Sequence, residues 1–97
     1  MPRYVALLTW TEQGLHNVKD TITRAQAARQ AFQAGGGQLI DIYWTMGQYD
    51  AVTIFEAPDD ETASRFLLAV GLQGNIRTVT LRAFNEQEMG RILQGLP

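Results

Sequence analysis

Two apolar segments on either side of one glycine constrain the fold of this chain most. Residues 39–44 precede Gly47-Gln48 and residues 51–55 follow it, and both segments are rich in the β-branched and aromatic residues that favour strands. Glycine accepts the positive φ that the first central position of a type II′ turn requires, so Gly47-Gln48 is predicted to form a two-residue turn. An antiparallel strand pair over residues 38–46 and 49–57 is therefore expected at the middle of the chain.

The segments before this pair predict one strand and one helical region. Residues 4–10 are aromatic, aliphatic or β-branched and predict a strand. Apolar residues then recur every three or four positions, which is the helical period, and predict a short helical turn over residues 12–19 and a longer helix over residues 21–34. Three glycines at residues 35–37 end that helix and reverse the chain.

The segments after the pair repeat this order. Asp59-Asp60-Glu61 supplies a cap and carboxylates at a helix start, where the helix dipole favours negative charge. An apolar stripe over residues 63–70 predicts the body of that helix. Residues 76–84 alternate as a fourth strand, and residues 85–88 resemble a capping box that opens a short C-terminal helix.

This order, β-α-β-β-α-β with a C-terminal helix, is the split βαβ arrangement of the ferredoxin-like fold. We therefore predict an α+β protein in which residues 1–97 form one domain. The four-stranded antiparallel sheet is expected in the order 4-1-3-2, with the helices on one face and the other face open. The chain is long enough for one domain of this size and not for two.

The alternation of side chains along the strands assigns residues to the two faces of the sheet. Residues predicted to be buried beneath or within the helices are Val5, Leu7, Val18, Ile22, Ala25, Ile40, Ile42, Val52, Ile54, Phe66, Leu67, Val79 and Leu81. Residues predicted on the open face are Ala6, Leu8, Trp10, Asp41, Tyr43, Thr45, Tyr49, Ala51, Thr53, Phe55, Thr78, Thr80 and Arg82. An open face with this aromatic content predicts a homo-oligomer, at least a dimer, formed through it.

Composition excludes several classes of function. The formal net charge is -2 without a basic stripe, which argues against nucleic acid as a partner. The absence of cysteine excludes disulfides, thiol nucleophiles and cysteine-ligated metals, and a single histidine gives no metal-ligand spacing. We expect no cofactor. No membrane partner is expected, because no stretch approaches the ~18 apolar residues of a membrane helix. No signal peptide is expected either, because the apolar run near the start is short and no small-residue cleavage site follows it. A cytoplasmic location is expected.

Candidate acid–base chemistry is restricted to one position. His16 is the only imidazole, and imidazole is the side chain that exchanges protons most readily near neutral pH. Asn17 is adjacent and Asp20 lies one helical turn later. This group is either a polar cluster at the mouth of a pocket or a solvated helix face with an i,i+4 charge pair, and the residues alone leave both interpretations open.

The remaining candidates for ligand contact lie on the strands. Trp10 and Tyr43 fall on the predicted open face, while Tyr49 and Asp50 follow the predicted turn. Tyr49 and Asp50 are expected at the opposite end of the sheet from Trp10, so that one composite pocket would need a second subunit. The alternative is a separate pocket lined by Trp10, His16, Asn17 and Tyr43.

Blocks of sequence along nearly the whole chain resemble a known family. They lie at residues 4–14, 17–20, 56–60 and 74–78, together with Met46-Gly47-Gln48-Tyr49-Asp50. In combination they resemble the GYD-domain family of small bacterial and archaeal proteins. The resemblance implies a ferredoxin-like chain of the dimeric α/β-barrel group, which pairs sheet to sheet. It implies no particular reaction, because that group includes monooxygenases, haem enzymes, isomerases and amino-acid-sensing domains.

Three functions are compatible with these residues. The first is a small oligomeric protein that binds a small organic ligand in a pocket beside the open face. The second is a metal-independent enzyme of the dimeric-barrel type, monooxygenase- or isomerase-like, with His16 as the acid–base group. The third is a purely structural oligomer. The residues predicted to bind a ligand are Trp10, His16, Asn17, Tyr43, Tyr49 and Asp50.

Overall fold

The computed structural model describes residues 1–97 and contains four strands, four α-helices and one 3₁₀ turn. In chain order these are β1 (Arg3–Trp10), α1 (Glu12–His16), the 3₁₀ turn (Val18–Asp20), α2 (Thr21–Ala34), β2 (Gln38–Trp44), β3 (Ala51–Glu56), α3 (Asp60–Leu72), β4 (Ile76–Ala83) and α4 (Glu86–Gln94). The predicted order of elements is confirmed.

The four strands form one antiparallel sheet in the order β2-β3-β1-β4. This is the predicted 4-1-3-2 order read from the other edge. Side chains of α2 and α3 pack on the same face of the sheet, where Phe32 and Ala63 join the strand residues Tyr4 and Phe55 in one buried cluster. The predicted α+β ferredoxin-like fold is therefore confirmed.

Helix starts follow from local sequence. The Asp59 carboxylate accepts the Thr62 backbone N–H at 2.8 Å and begins α3, and Asn85 forms a reciprocal capping box with Glu88 at the start of α4. These caps satisfy backbone donors that lack a partner inside the helix. Both lie where the sequence predicts them, whereas the side chain of Asp20 makes no capping hydrogen bond at the start of α2.

The connection between β2 and β3 is longer than the predicted two-residue turn. The strands are separated by residues 45–50, and the loop is closed by the hydrogen bond from Thr45 N to Asp50 O at 2.9 Å. The Thr45 hydroxyl also donates to the carbonyl of Tyr49 at 2.6 Å. Gly47 has the positive φ expected of it, +112°, but it lies within a six-residue loop.

The core is built from aromatic side chains. Phe55 is fully buried and stacks on Tyr4 with 5.1 Å between ring centroids. Phe32 meets the edge of Phe55 at 5.3 Å and stacks on Phe66 at 4.4 Å. These four rings connect the two central strands to α2 and α3, so the largest side chains occupy the space between sheet and helices.

The predicted assignment of the two sheet faces is wrong for β1, β3 and β4. The face beneath the helices carries Tyr4, Ala6, Leu8, Ala51, Thr53 and Phe55, all of them buried. Alternation along an apolar strand separates two sets of residues but does not say which set faces the helices, because both faces of β1 are apolar. For β2 the prediction is correct: Ile42 faces the helices while Asp41 and Tyr43 do not, and the strand has a register irregularity between Leu39 and Asp41.

The uncovered face, called the open face below, is mainly aliphatic, with Tyr43 of β2 beside Val52 as an aromatic member. Val79 and Leu81 of β4 remain 50% and 51% exposed, although the alternation predicts both to be buried. Register places them beside Leu7 and Val5 of β1, which in turn lie beside residues of β3. The open face is therefore defined by Val5, Leu7, Val52, Ile54, Val79 and Leu81.

The C-terminal helix leaves its apolar stripe unpacked. The residues of this stripe, all substantially exposed, are Met89, Ile92 and Leu93, continued by the exposed Leu96 two residues past the end of the helix. An ion pair between Arg82 and Glu88 at 3.8 Å connects the start of α4 to β4. The sequence suggests that this helix lies along the body of the domain, but its apolar side chains are left to solvent. Ile22 of α2, also predicted to be buried, is exposed as well.

Candidate functional site

A cavity of about 110 Å³ lies between the helices and the sheet. Its floor and walls include four alanines, on β1, β3 and α2, whose short side chains leave space where larger residues would fill it. Aromatic and aliphatic side chains complete an apolar lining, and these are Leu8, Trp10, Phe32, Leu39, Ile42, Trp44, Phe55, Leu67, Val70 and Ile76. The cavity therefore lies on the covered face, not beside the open face where the sequence predicts a pocket.

Few polar groups face this cavity, and one of them carries charge. Arg24 of α2 is the single charged residue of the lining. Its Nη1 donates to the carbonyl of Asn17 at 2.8 Å, while its Nη2 is buried without a hydrogen-bond partner. Thr21, one turn earlier on the same helix, accepts the Trp44 indole N–H at 3.0 Å. The cavity thus has two polar side chains, Thr21 and Arg24, at the start of α2 and a mainly apolar lining elsewhere.

The segment after β1 is attached firmly to the start of β4. Thr11 N donates to Asn75 O at 3.1 Å, and the Thr11 hydroxyl donates to Gly74 O at 2.6 Å. Gly14 lies so close that a Cβ on it would be 1.8 Å from Asn75 O. Because Asn75 lines the cavity, this contact fixes one of its walls.

Two of the predicted ligand-contact residues meet at the end of β1. Trp10 lines the cavity, and its backbone N–H donates to the Asp50 carboxylate at 2.9 Å. The expectation that Asp50 lies at the opposite end of the sheet is wrong. In an antiparallel pair the end of one strand lies beside the start of the next, and Asp50 N donates to Leu8 O at 2.8 Å.

The other predicted contact residues lie apart from the cavity lining. His16 is exposed and makes no side-chain hydrogen bond, including none to Asp20. Tyr43 is exposed on the other side of the sheet, and Tyr49 is half-buried in the loop before β3. Asn17 reaches the site only through its backbone carbonyl, which orients Arg24. The structure therefore does not bring the six residues together in one pocket.

Sequence reasoning overlooked Arg24, although a signal for it exists. The stripe of α2 that faces the sheet includes Thr21, Ala25, Ala28 and Phe32, with spacings of three and four residues. Arg24 falls within this stripe and not on the solvated side of the helix. A cation among alanines on the buried side of a helix is the sequence feature that indicates a binding site there.

A second polar contact joins α3 to the sheet. The Tyr4 hydroxyl donates to the Asp60 carboxylate at 2.5 Å. Burial, the hydrogen bond to Asp60 and the negative charge of Asp60 raise the pKa of Tyr4 to about 12. Arg82 lies over the Tyr4 ring, 5.7 Å from its centroid. Tyr4 thus remains a neutral hydrogen-bond donor that holds the start of α3 against β1.

Neither a metal-ligand cluster nor a membrane-spanning helix accompanies this cavity. No group of three or more His, Asp or Glu side chains is arranged to hold a metal ion. None of the helices has the length and apolar character needed to cross a bilayer.

Comparison with known proteins identifies the family. The sequence model of the GYD domain matches residues 4–93. The chain belongs to the GYD-domain family. The match covers nearly the whole GYD chain, from the first residues of β1 into α4.

One curated relative has a descriptive name. The GYD chain is 30% identical over 84 residues to the "Glutamine synthetase and cystathionine beta-lyase binding protein" of Thermus thermophilus, and the alignment covers 86% of this chain and 88% of the relative. That name states what the Thermus protein binds.

Solved structures agree with the fold. MtbAldR superposes with a TM-score of 0.69 at 14% identity over 88% of the GYD chain, which spans about half (54%) of MtbAldR. TTHA0845 from Thermus thermophilus superposes with a TM-score of 0.55 at 25% identity, over 88% of the GYD chain and 95% of its own. The likeness to MtbAldR concerns the fold alone.

Proposed function

We propose that this GYD chain is a homodimeric protein-binding module. The observation that carries the proposal is the open face, whose six aliphatic side chains form one continuous apolar surface across β1, β3 and β4. Soluble monomers rarely expose large contiguous apolar patches, so such a surface indicates a partner.

The partner proposed for the open face is a second copy of the chain. A two-fold interface buries the same patch on both subunits, so a flat, largely apolar face is complementary to itself. The charged residues on this side of the sheet lie around the six aliphatic ones, as in a polar rim: Arg3 and Glu56 pair at 3.2 Å at one end, Arg77 lies on β4 toward the other end, and Asp41 lies on the edge strand β2. A domain of this size also has a modest core of its own, and sheet-to-sheet pairing adds to it.

The partner proposed for α4 is another protein. The name of the Thermus relative supports protein binding as the function of this family member. The exposed residues Met89, Ile92 and Leu93 of α4, together with Leu96 two residues beyond its end, have the i, i+3, i+4, i+7 spacing with which amphipathic helices enter apolar grooves. In this proposal the sheet holds the dimer together, and α4 of each subunit remains available for docking.

Binding to the two enzymes in the relative's name tests this function. We expect the purified chain to bind glutamine synthetase or cystathionine beta-lyase of its own organism in biolayer interferometry. Ile92→Asp should weaken this binding by about tenfold or more, because it places a charge in the docking stripe. The matched control is Leu68→Asp on α3, which alters an equally apolar residue that is 69% exposed elsewhere.

Two kinds of result would contradict docking through α4. Absence of binding to both enzymes, or equal binding by the wild type and Ile92→Asp, would contradict docking through α4. If Ile92→Asp instead converts a dimer into a monomer, α4 belongs to the contact between copies, and its proposed role in docking is wrong.

A further inference from the structure

We infer that the helix-side cavity is a binding site for a small apolar carboxylate, with Arg24 as its anchor. This inference is independent of the proposed dimer and of docking through α4. It rests on the charge, the hydrogen-bond donors and the volume of the cavity.

The positive charge in the cavity lining favours an anionic ligand. Arg24 contributes a full positive charge to the lining, and the lining contains no Asp or Glu. A buried guanidinium nitrogen without an acceptor is costly, and Nη2 of Arg24 is in that state. An anionic oxygen beside Nη2 would supply the missing acceptor, and arginine binds planar carboxylates particularly well.

Groups next to Arg24 also favour an anion beside its Nη2. The hydrogen bond from Nη1 to Asn17 O holds the guanidinium in one orientation. Thr21 uses its oxygen to accept the Trp44 indole N–H, so its own hydroxyl hydrogen is free to donate. Thr21 and Arg24 are three residues apart on one face of α2 and lie in its first turn, where the helix dipole also favours negative charge.

The rest of the cavity limits the ligand to a small apolar body. Fourteen of its 20 lining residues are hydrophobic. Its volume of about 110 Å³ is of the same order as the ~150 Å³ apolar cavity that accommodates benzene in another protein. A ring or a branched aliphatic chain of that size fits, whereas a phosphate would leave several oxygens against apolar walls.

Titration with benzoate tests the site. Benzoate combines one carboxylate with a body of the right size, benzamide keeps the shape without the charge, and acetate keeps the charge without the body. Calorimetry is expected to show saturable benzoate binding, with benzamide and acetate weaker by about tenfold or more. Trp10 and Trp44, the only tryptophans, both line the cavity, so intrinsic fluorescence gives a second readout.

Variants separate the anchor from the cavity. Arg24→Gln should weaken benzoate binding by about tenfold or more, while the control Arg29→Gln, an exposed cation on the same helix, should change it by less than about twofold. Ala28→Leu should abolish benzoate binding, because the larger side chain fills the cavity. This variant tests the site even if Arg24→Gln does not fold.

Three results would overturn the inference. The first is no benzoate binding to the folded wild type at about 10 mM. The second is equal binding of benzoate and benzamide. The third is a folded Arg24→Gln variant that binds benzoate as the wild type does.

Discussion

Phe55→Ala is expected to lower the free energy of unfolding by about 3–5 kcal/mol, as for other large aromatic truncations in protein cores. Phe55 is fully buried and contacts the rings of Tyr4 and Phe32. The alanine therefore loses the transfer free energy of the ring and leaves a void between β3 and α2. Denaturant unfolding at one fixed protein concentration measures the loss, because the proposed dimer would make stability depend on concentration.

The control for this prediction is another phenylalanine. Phe84 follows β4 and is half exposed, with Arg82 over its ring. Phe84→Ala is expected to cost less than about 1 kcal/mol, as surface substitutions usually do. A loss of similar size in both variants, or a loss below about 1 kcal/mol for Phe55→Ala, would mean that the aromatic face of the sheet is not the covered one.

Gly14→Ala is expected to lower the free energy of unfolding by about 2–4 kcal/mol. The new Cβ would lie 1.8 Å from Asn75 O and 2.8 Å from Asn75 C, and both are backbone atoms that cannot rotate away. The segment around α1 must move off β4, which breaks the hydrogen bonds from Thr11 to Gly74 and Asn75. Thermal and denaturant unfolding would both show the loss.

A second glycine provides a control in which alanine is expected to raise the free energy of unfolding. Gly71 lies inside α3, and no heavy atom would be within 4 Å of a Cβ placed there. Gly71→Ala is therefore expected to raise stability by about 0.5–1 kcal/mol, because glycine is unfavourable in a helix interior. If Gly14→Ala is neutral or stabilising like Gly71→Ala, the close contact between α1 and β4 is not present in solution.

The elements of the fold are predictable because their signals are local. The caps at Asp59 and Asn85 act on donors three residues away, and the periods of strands and helices are visible within each segment. The order of these elements then leaves few topologies, and the ferredoxin-like one is observed. The six-residue loop after β2 is the local exception, because a glycine with positive φ suits turns of several lengths.

The side of the sheet that the helices cover is not a local property. Ala6 and Val5 are both apolar, and the choice between them depends on distant parts of the chain: Phe32 of α2 meets the edge of Phe55 and stacks on Phe66 of α3. The interpretation of the open face as aromatic failed for this reason.

The candidate site was predictable only in part. Trp10 is a predicted ligand contact on the predicted open face, and it does line a cavity, but on the covered face. Arg24 is not recognisable from the sequence in this way because arginine on a helix is usually solvated, and the residues of β1 and β3 that share the cavity lining with it are distant in the chain. His16 attracted attention as a rare residue type, but composition says nothing about whether a side chain has partners.

The mass in solution tests most directly whether the aliphatic open face joins two copies of this chain. Light scattering at micromolar concentration should give twice the 10.8 kDa chain mass for the wild type and for Leu68→Asp. Leu81→Asp, which places a charge on the open face at a residue already half exposed, should give a folded protein of one chain mass. A wild-type protein that remains a clean monomer, or a folded Leu81→Asp variant that remains a dimer, would contradict the account.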